Sequence, residues 1–366
     1  MKIGILTFHC AHNYGAMLQA YATQEMLKSA GHEAEIIDYR PRFLREPYKR
    51  IRPSRIRSRK GGISLVHVAS EIILFPFRCK RYSAFMNFMN TRMNLSGRVD
   101  RDTFDGEYDA IIIGSDQVWN IRHNKGKFDP MYLADFRFPK DDRIYIADAV
   151  SLELDLIGPA EEDLLRKAAE RFDALSVREE FLTDWFRKIT SKEFTHIQDP
   201  VFQLDPEKWM RLIKPHRHRK PYVFVYRMVD HECITPFVKK LASRYSYDVI
   251  EVQAFPNAKT LHRSRQAVGV EEFLSLLSGA AFVVTTSFHG TAFSVIFQKP
   301  FYCFSFGYSV DTRVRSLLDS IGLSDRMLPI GSDLPDDVSC DYTNAVKLLE
   351  QQRIRSRSFI LDQLNR

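Results

Sequence analysis

Within its first forty residues the chain alternates in a way that leaves little freedom of fold. Residues 2–7 form a short apolar run suited to a buried strand, and in residues 15–30 Leu18, Ala22 and Met26 recur every four positions before Gly31 stops the helix. Residues 33–39, Glu-Ala-Glu-Ile-Ile-Asp-Tyr, read as a second strand. Strand, helix and strand at this spacing make a βαβ unit, whose crossover requires parallel strands and sets the loop after the first strand at the carboxyl edge of the sheet. That loop, residues 8–14, carries His9, His12 and Asn13 where open α/β sheets bind ligands.

The alternation continues. Residues 108–114 read as a buried strand that ends in the polar cluster Gly114-Ser115-Asp116-Gln117-Val118-Trp119-Asn120, again at a carboxyl end. Short strands are expected at 143–147 and 174–177. Between Ile197 and Trp209, Pro200 and Pro206 interrupt any helix, which sets the domain boundary there. A second series follows: strands at 222–226, 248–252, 281–285 and 301–304, with helices at about 233–243, through Phe273, Leu276 and Leu277, and at 290–297. The expected fold class is α/β, two Rossmann-like domains facing a cleft, with domains at 1–204 and 205–340 and a helical segment, 341–366, packing back on the first domain. The helical pattern over 64–90, through Ile72, Phe85, Phe88 and Met89, is expected to break or kink at Pro76, with the apolar run 72–77 buried in the first domain.

A chain of 366 residues suits two such domains, and 45% apolar with 27% charged residues excludes a disordered or fibrous chain. Neither a leader pattern nor a membrane-length apolar run is visible, so a soluble cytoplasmic protein is expected. Cys10, Cys79, Cys233, Cys303 and Cys340 are scattered and odd in number, which suits reduced thiols better than disulfides or zinc. Net charge is +7, yet residues 40–60 hold ten Lys/Arg against Glu46 alone, a local +9 that leaves the remainder at −2. The segment 41–62 is poorly patterned and reads as an exposed loop. Its charge comes without any nucleic-acid module signature, so an anionic membrane surface, or the pyrophosphate of a lipid-linked acceptor, is the expected partner and nucleic acid is not.

The sharpest local signal is Val283-Val284-Thr285-Thr286-Ser287-Phe288-His289-Gly290-Thr291-Ala292: a buried strand, a tight turn and an apolar helix. Free amides and the positive end of the helix dipole would hold a phosphate or carboxylate there, with His289 beside it to exchange protons near neutral pH. The same residues also read as an ordinary capped turn, with Ser287 as N-cap and His289 satisfied by a carbonyl. Arg178, just after an apolar strand, could grip an anion with its planar fork or form a surface ion pair with its neighbour. No GxGxxG follows the first strand, no P-loop occurs, and no metal-spaced cluster stands out.

Taken in order, Lys2-Ile3-Gly4-Ile5-Leu6-Thr7-Phe8-His9, Asn13-Tyr14-Gly15-Ala16-Met17-Leu18-Gln19-Ala20-Tyr21, Ile37-Asp38-Tyr39, the 114–120 cluster, Ser176-Val177-Arg178-Glu179, Asp199-Pro200-Val201 and Ser287-Phe288-His289-Gly290-Thr291-Ala292 resemble the polysaccharide pyruvyl transferase family, over about residues 1–325. The resemblance implies a GT-B-like pair of domains and transfer of pyruvate from phosphoenolpyruvate, as co-substrate, to a sugar, forming a cyclic ketal during capsular or exopolysaccharide synthesis. It implies His289 and Arg178 in catalysis, and Ser287, Gly290, Thr291, Arg313 and Arg227 around the donor. His9, Asn13, Gln19, Ser115, Asp116, Gln117, Trp119 and Asn120 fall to the acceptor, with no metal and no further cofactor. In the pattern it resembles, an arginine stands two residues before the histidine; here that residue is Ser287, so the cation would come from Arg313 or Arg227. Two other functions fit parts of the sequence: a GT-B glycosyltransferase with a nucleotide-sugar donor, marked by an acidic residue set on a ribose, and a non-enzymatic protein binding membranes or polyanions through residues 40–60.

Overall fold

The computed structural model describes residues 1–52, 64–136, 142–215, 218–308 and 311–365. Seven strands, β1 (Lys2–Leu6), β2 (Glu33–Tyr39), β3 (Leu95–Val99), β4 (Ala110–Asp116), β5 (Ile144–Val150), β6 (Ala174–Val177) and β7 (Phe194–His196), form a parallel sheet in the order β3-β2-β1-β4-β5-β6-β7. Six more, β8 (Tyr222–Arg227), β9 (Asp248–Gln253), β10 (Ser264–Arg265), β11 (Phe282–Thr285), β12 (Phe301–Ser305) and β13 (Met327–Pro329), form a second parallel sheet in the order β10-β9-β8-β11-β12-β13. The strand order reverses beside β1 in the first sheet and beside β8 in the second. At such a switch the connections leave in opposite directions and open a crevice at the strands' carboxyl ends.

Helices α1 (Tyr14–Ser29), α2 (Leu65–Arg92), α3 (Pro159–Ala169), α4 (Glu180–Ile189), α5 (Ile234–Tyr245), α6 (Val270–Ser278), α7 (Phe288–Ile296), α8 (Thr312–Ser320) and α9 (Thr343–Leu364) cover the sheets. Helix α1 is buried along nearly its whole length because it lies between the two halves. One continuous apolar core runs from Ile3 and Leu18 through Trp209 to Phe273, Phe293 and Ile360, so the halves share an interior. Tyr14 anchors the junction: its ring stacks on Phe273 at 4.2 Å, and its hydroxyl donates to the Val268 carbonyl at 2.8 Å while accepting from Arg81 at 2.7 Å. Arg81 also donates to the carbonyl of Ala254 at 2.9 Å, tying α2 to the second half. After the second sheet, α9 returns to the first half, where Ser356 accepts the Gln198 amide at 3.0 Å and Arg357 bonds Asp205 at 2.9 Å.

Four strands that the sequence pattern does not reveal, β3, β7, β10 and β13, are short and lie at or next to sheet edges. There, partial exposure admits polar residues and erases the apolar run. Helix α2 continues through Pro76 instead of breaking. The bond that proline cannot donate would go to the carbonyl of Ile72 on the exposed side of the helix, where solvent replaces it. The run 72–77 is also not buried: only Leu74 faces inward, and Ile72, Ile73, Phe75 and Phe77 are exposed. The described part of the basic segment is partly ordered rather than an open loop, with helical turns at Arg42–Arg45 and Glu46–Tyr48 and with Leu44 and Arg52 buried; residues 53–63 lie outside the described residues. No helix among the described residues is long and apolar enough to cross a membrane.

One buried group in β5 makes stability depend on pH. Asp148 is fully buried, and neither carboxyl oxygen has a hydrogen-bond partner. Burial first, and then the charge of Asp199, push its carboxyl up to about 7, against a weaker opposing influence of the nearby Gln203 amide. A pKa raised on folding stabilises fully below the unfolded value of 3.8, and that contribution is lost as pH rises through about 7. At about 1.4 kcal/mol per pH unit the loss reaches a few kcal/mol. Thermal unfolding at pH 5 and pH 8 should therefore show a smaller Tm difference for Asp148→Asn than for the wild type. An unchanged difference would mean that Asp148 does not ionise in this range.

Candidate active site

The crevice between the sheets holds a cavity of about 360 Å³. The first half contributes Phe8, Asn13, Phe43, Tyr48, Asp116 and Gln117, and the second contributes Phe255, Ser287, His289, Phe306, Asp311 and Arg313. Each polar group arrives by a local rule of folding. Asn13 caps α1 by accepting the Gly15 amide at 2.9 Å, which fixes it at the end of the β1 loop. Asp116, with φ of 69°, turns the chain out of β4 and accepts the Gln117 amide at 2.9 Å. Ser287 caps α7, accepting the Gly290 amide at 3.3 Å. Gly290 is needed there because a Cβ would lie 2.2 Å from Thr285 Oγ1.

His289 enters the junction from α7. Its Nε2 stands 3.6 Å from Asp199 Oδ2, and the other side of its ring presses against the start of α1 so closely that a Cβ on Gly15 would fall 2.0 Å from Nδ1. Asp199 is wholly buried, accepts the Val201 amide at 3.0 Å and takes the Arg178 Nη1 bond at 2.7 Å. Burial alone would raise its carboxyl, but the nearby His289 imidazole and the Arg178 charge, with the Val201 amide, bring it down to about 2. The acid is thus a fixed anion behind the imidazole, placed to orient the ring through Nε2. Glu179 is pushed up by burial, against Arg178 and Arg313, and accepts from Ser151 at 2.8 Å. The cavity's Cys303 thiol is raised by burial to about 12, so it is not a thiolate nucleophile. All five cysteines are free.

The placement of the expected residues divides sharply. His289, Ser287, Arg313, Asn13, Asp116 and Gln117 converge on the cavity. Arg313 has no hydrogen bond or ion pair among the described residues, and its guanidinium lies in the field of Arg178, Glu179, Asp116 and Glu153. Arg227, the other expected cation, is not on the wall: it is taken up by Asp230 at 2.8 Å, Glu251 at 3.1 Å and Thr235 at 3.1 Å. Arg178 does not line the cavity either. It sits behind Phe288, 4.7 Å from that ring's centre, between Asp199 and Glu179, with Nη2 unpartnered. The amides of Gly290 and Thr291 are not free, since the first bonds Ser287 Oγ and the second the Ser287 carbonyl at 2.9 Å; Thr291 Oγ1 bonds that carbonyl too.

Several polar residues expected on the acceptor side hold the scaffold together. His9 is buried, between the Thr7 carbonyl at 3.2 Å and Asp38 at 3.0 Å. Gln19 donates to Thr7 Oγ1 at 2.7 Å and accepts the Ser115 amide at 3.2 Å, while Ser115 Oγ donates to the Ala149 carbonyl at 2.9 Å. Trp119 donates to the Tyr132 carbonyl at 2.8 Å inside a second apolar cluster, on the first half alone, and Asn120 caps the turn Ile121–Asn124. Sequence reasoning missed Tyr48, Phe255 and the role of Asp199. Tyr48 and Phe255 stack at 5.4 Å across the junction, from segments with no periodic signal. Among the described residues no group of three or more His, Cys, Asp or Glu side chains could hold a metal ion.

A family model described as polysaccharide pyruvyl transferase matches residues 13–308. No curated protein matches by sequence. Among solved structures, the Methanocaldococcus jannaschii UDP-GlcNAc 2-epimerase, crystallised with UDP-GlcNAc and UDP, is similar in fold with a TM-score of 0.53 at 11% identity, over 100% of this chain and 99% of that one. The Neisseria meningitidis UDP-GlcNAc 2-epimerase (TM-score 0.49, 10% identity, 100% and 99% covered) and E. coli ADP-heptose lps heptosyltransferase II (0.37, 11%, 99% and 100%) are also similar. At these identities the likeness concerns the two-domain fold alone.

The contact of His289 with Gly15 is the tightest constraint on the site. Gly15→Ala should displace the imidazole from Asp199 and lower kcat by about 10²-fold, the scale set by a misplaced catalytic group. Helix α1 should hold, since Ala is the better helix former. Steady-state kinetics with circular dichroism checks this: full activity in Gly15→Ala would show that the ring's position is not set by α1.

Proposed function

Because the chain belongs to the polysaccharide pyruvyl transferase family, we propose that it moves pyruvate from phosphoenolpyruvate to a sugar of a capsular or exopolysaccharide precursor, closing a cyclic ketal on two hydroxyls. The observation that carries this reading is the convergence of His289 and Arg313, which has no ion pair among the described residues, from one half with Asn13, Asp116 and Gln117 from the other on one cavity. Phosphoenolpyruvate brings a phosphate and a carboxylate. The Arg313 fork and the positive end of α7 suit such a polyanion, and Arg313 supplies the cation that Ser287 lacks.

The chemistry follows from the donor. A sugar hydroxyl adds to C2 of the enol while C3 takes a proton; a second hydroxyl then adds to C2 as the phosphate leaves with the C–O bonding pair. His289, steadied by Asp199, is the group to give and accept protons in these steps, and Arg313 offsets the charge building on the departing phosphate. Arg178 acts through others: it fixes the Asp199 carboxylate and backs Phe288, which makes it a positioning residue. Amide and carboxylate side chains on the first half suit sugar hydroxyls, and Phe8, Phe43 and Tyr48 offer faces for a ring.

A nucleotide-sugar glycosyltransferase would need a second-half carboxylate free to bind a ribose. Glu251 is held by Arg227 and Gln253, and Asp311 by the amides of Phe306 and Gly307 at 2.7 Å each, so neither favours that reading. The test is phosphate release from phosphoenolpyruvate with a panel of lipid-linked and nucleotide-linked sugars. We expect release that depends on one acceptor and falls about 10²- to 10⁴-fold in His289→Ala, the usual contribution of a general acid or base. No release with any acceptor, alongside turnover of a nucleotide sugar, would overturn the reading.

A further inference from the structure

Helix α2 has an unusual first half. Leu74, Arg78, Arg81 and Phe85, spaced by three and four, turn inward, and α2 packs against α6 and the turn Ala258–Thr260 through its later residues. Before Arg78 the outward surface is almost wholly apolar: Leu65 is 81% exposed, Val66 78%, Ile72 68% and Ile73 51%, with Phe75 and Phe77 also open. The only acid among residues 64–77 is Glu71, and both its oxygens are taken by Arg78. So many exposed large apolar side chains on one element of a folded chain mark an interaction surface.

The charge beside it is mostly positive. Lys49, Arg50 and Ile51 are exposed, the Arg50 guanidinium lies over the Tyr82 ring of α2 at 5.0 Å, and Lys80 is exposed one turn past Pro76. Residues 40–52 and 64–81 together hold nine Lys/Arg and two acids. A second copy of the chain would set this basic patch against itself across a twofold axis, so self-pairing is opposed by like charge. An apolar helix face flanked by Lys and Arg instead has the composition of a segment lying in the interface of an anionic bilayer.

We propose that the exposed face of α2, with Lys49, Arg50 and Lys80 beside it, docks the protein on an anionic lipid surface. The patch leads to the cavity: Tyr48, next to Lys49, lines it, and Pro47, Tyr48 and Phe255 are shared between the cavity and a small basic recess lined by Arg52, Arg78 and Arg81. A docked molecule would hold its crevice close to an acceptor carried on a lipid. Docking itself does not depend on the donor or the sugar, so it can be tested apart from the activity.

The test is co-sedimentation of the full chain with vesicles of phosphatidylglycerol and phosphatidylcholine, and with phosphatidylcholine alone, at low and high salt. Two variants are compared, Ile72→Ser/Ile73→Ser/Phe75→Ser/Phe77→Ser and Lys49→Ser/Arg50→Ser/Lys80→Ser, with circular dichroism to check folding. We expect binding to the anionic vesicles alone, weakened by salt, and lowered at least about tenfold in each variant, as loss of either apolar or basic contact requires. Phosphate release on a short soluble acceptor should not change in either variant. No binding by the wild type, or unaltered binding in the first variant, overturns the proposal. So does a dimer, seen by analytical ultracentrifugation, that dissociates in the first variant while the wild type leaves vesicles in solution.

Discussion

The buried ion pair of Arg178 and Asp199 is the interaction on which the site depends. Two charges removed from water cost several kcal/mol each, a cost that close geometry and additional hydrogen bonds offset. Here Asp199 accepts from Arg178 and from the Val201 amide, and faces His289, while Arg178 also meets Glu179 and the face of Phe288. These groups come from the end of β6, from the segment joining the two sheets and from the first turn of α7. Within the first half the pair thus forms a rigid seat against which Phe288 and His289 of the second half rest at the point where the cavity closes, and a strongly acidic carboxylate stands behind the imidazole.

The same region explains why glycine stands where it does. Helix α1 begins against the His289 ring, and its first turn has room for no side chain at position 15. Asn13 and Tyr14 precede that glycine with different tasks: Asn13 caps the helix and faces the cavity, and Tyr14 reaches across to Val268 and Phe273. A single turn thus serves helix capping, domain contact and placement of the histidine.

Much of the architecture was legible in the sequence because it rests on local rules. Apolar runs, four-residue spacing and punctuating Gly or Pro revealed both alternating halves, and the polar clusters at strand ends pointed to Asn13, Asp116, Gln117 and His289 on one cavity. What stayed hidden depends on pairs distant in sequence. Asp199 meets Arg178 across 21 residues and His289 from the far side of a domain, and neither contact leaves a periodic trace. Burial hid the rest: His9, Gln19 and Trp119 look like site residues by type, yet each spends its polar atoms on the scaffold. Exposure misled in the other direction at Ile72 and Phe75, whose apolar character suggested a core they do not join.

The central claim is that the crevice suits a small polyanion held by Arg313 beside His289. Titration calorimetry with phosphoenolpyruvate tests it most directly, on the wild type and on Arg313→Gln. The account predicts a single site in the wild type, competed by inorganic phosphate, and affinity at least about tenfold lower in the variant, since a two-pronged charged contact is lost. Equal affinity in both proteins, or no heat from phosphoenolpyruvate in a folded wild type, would contradict it.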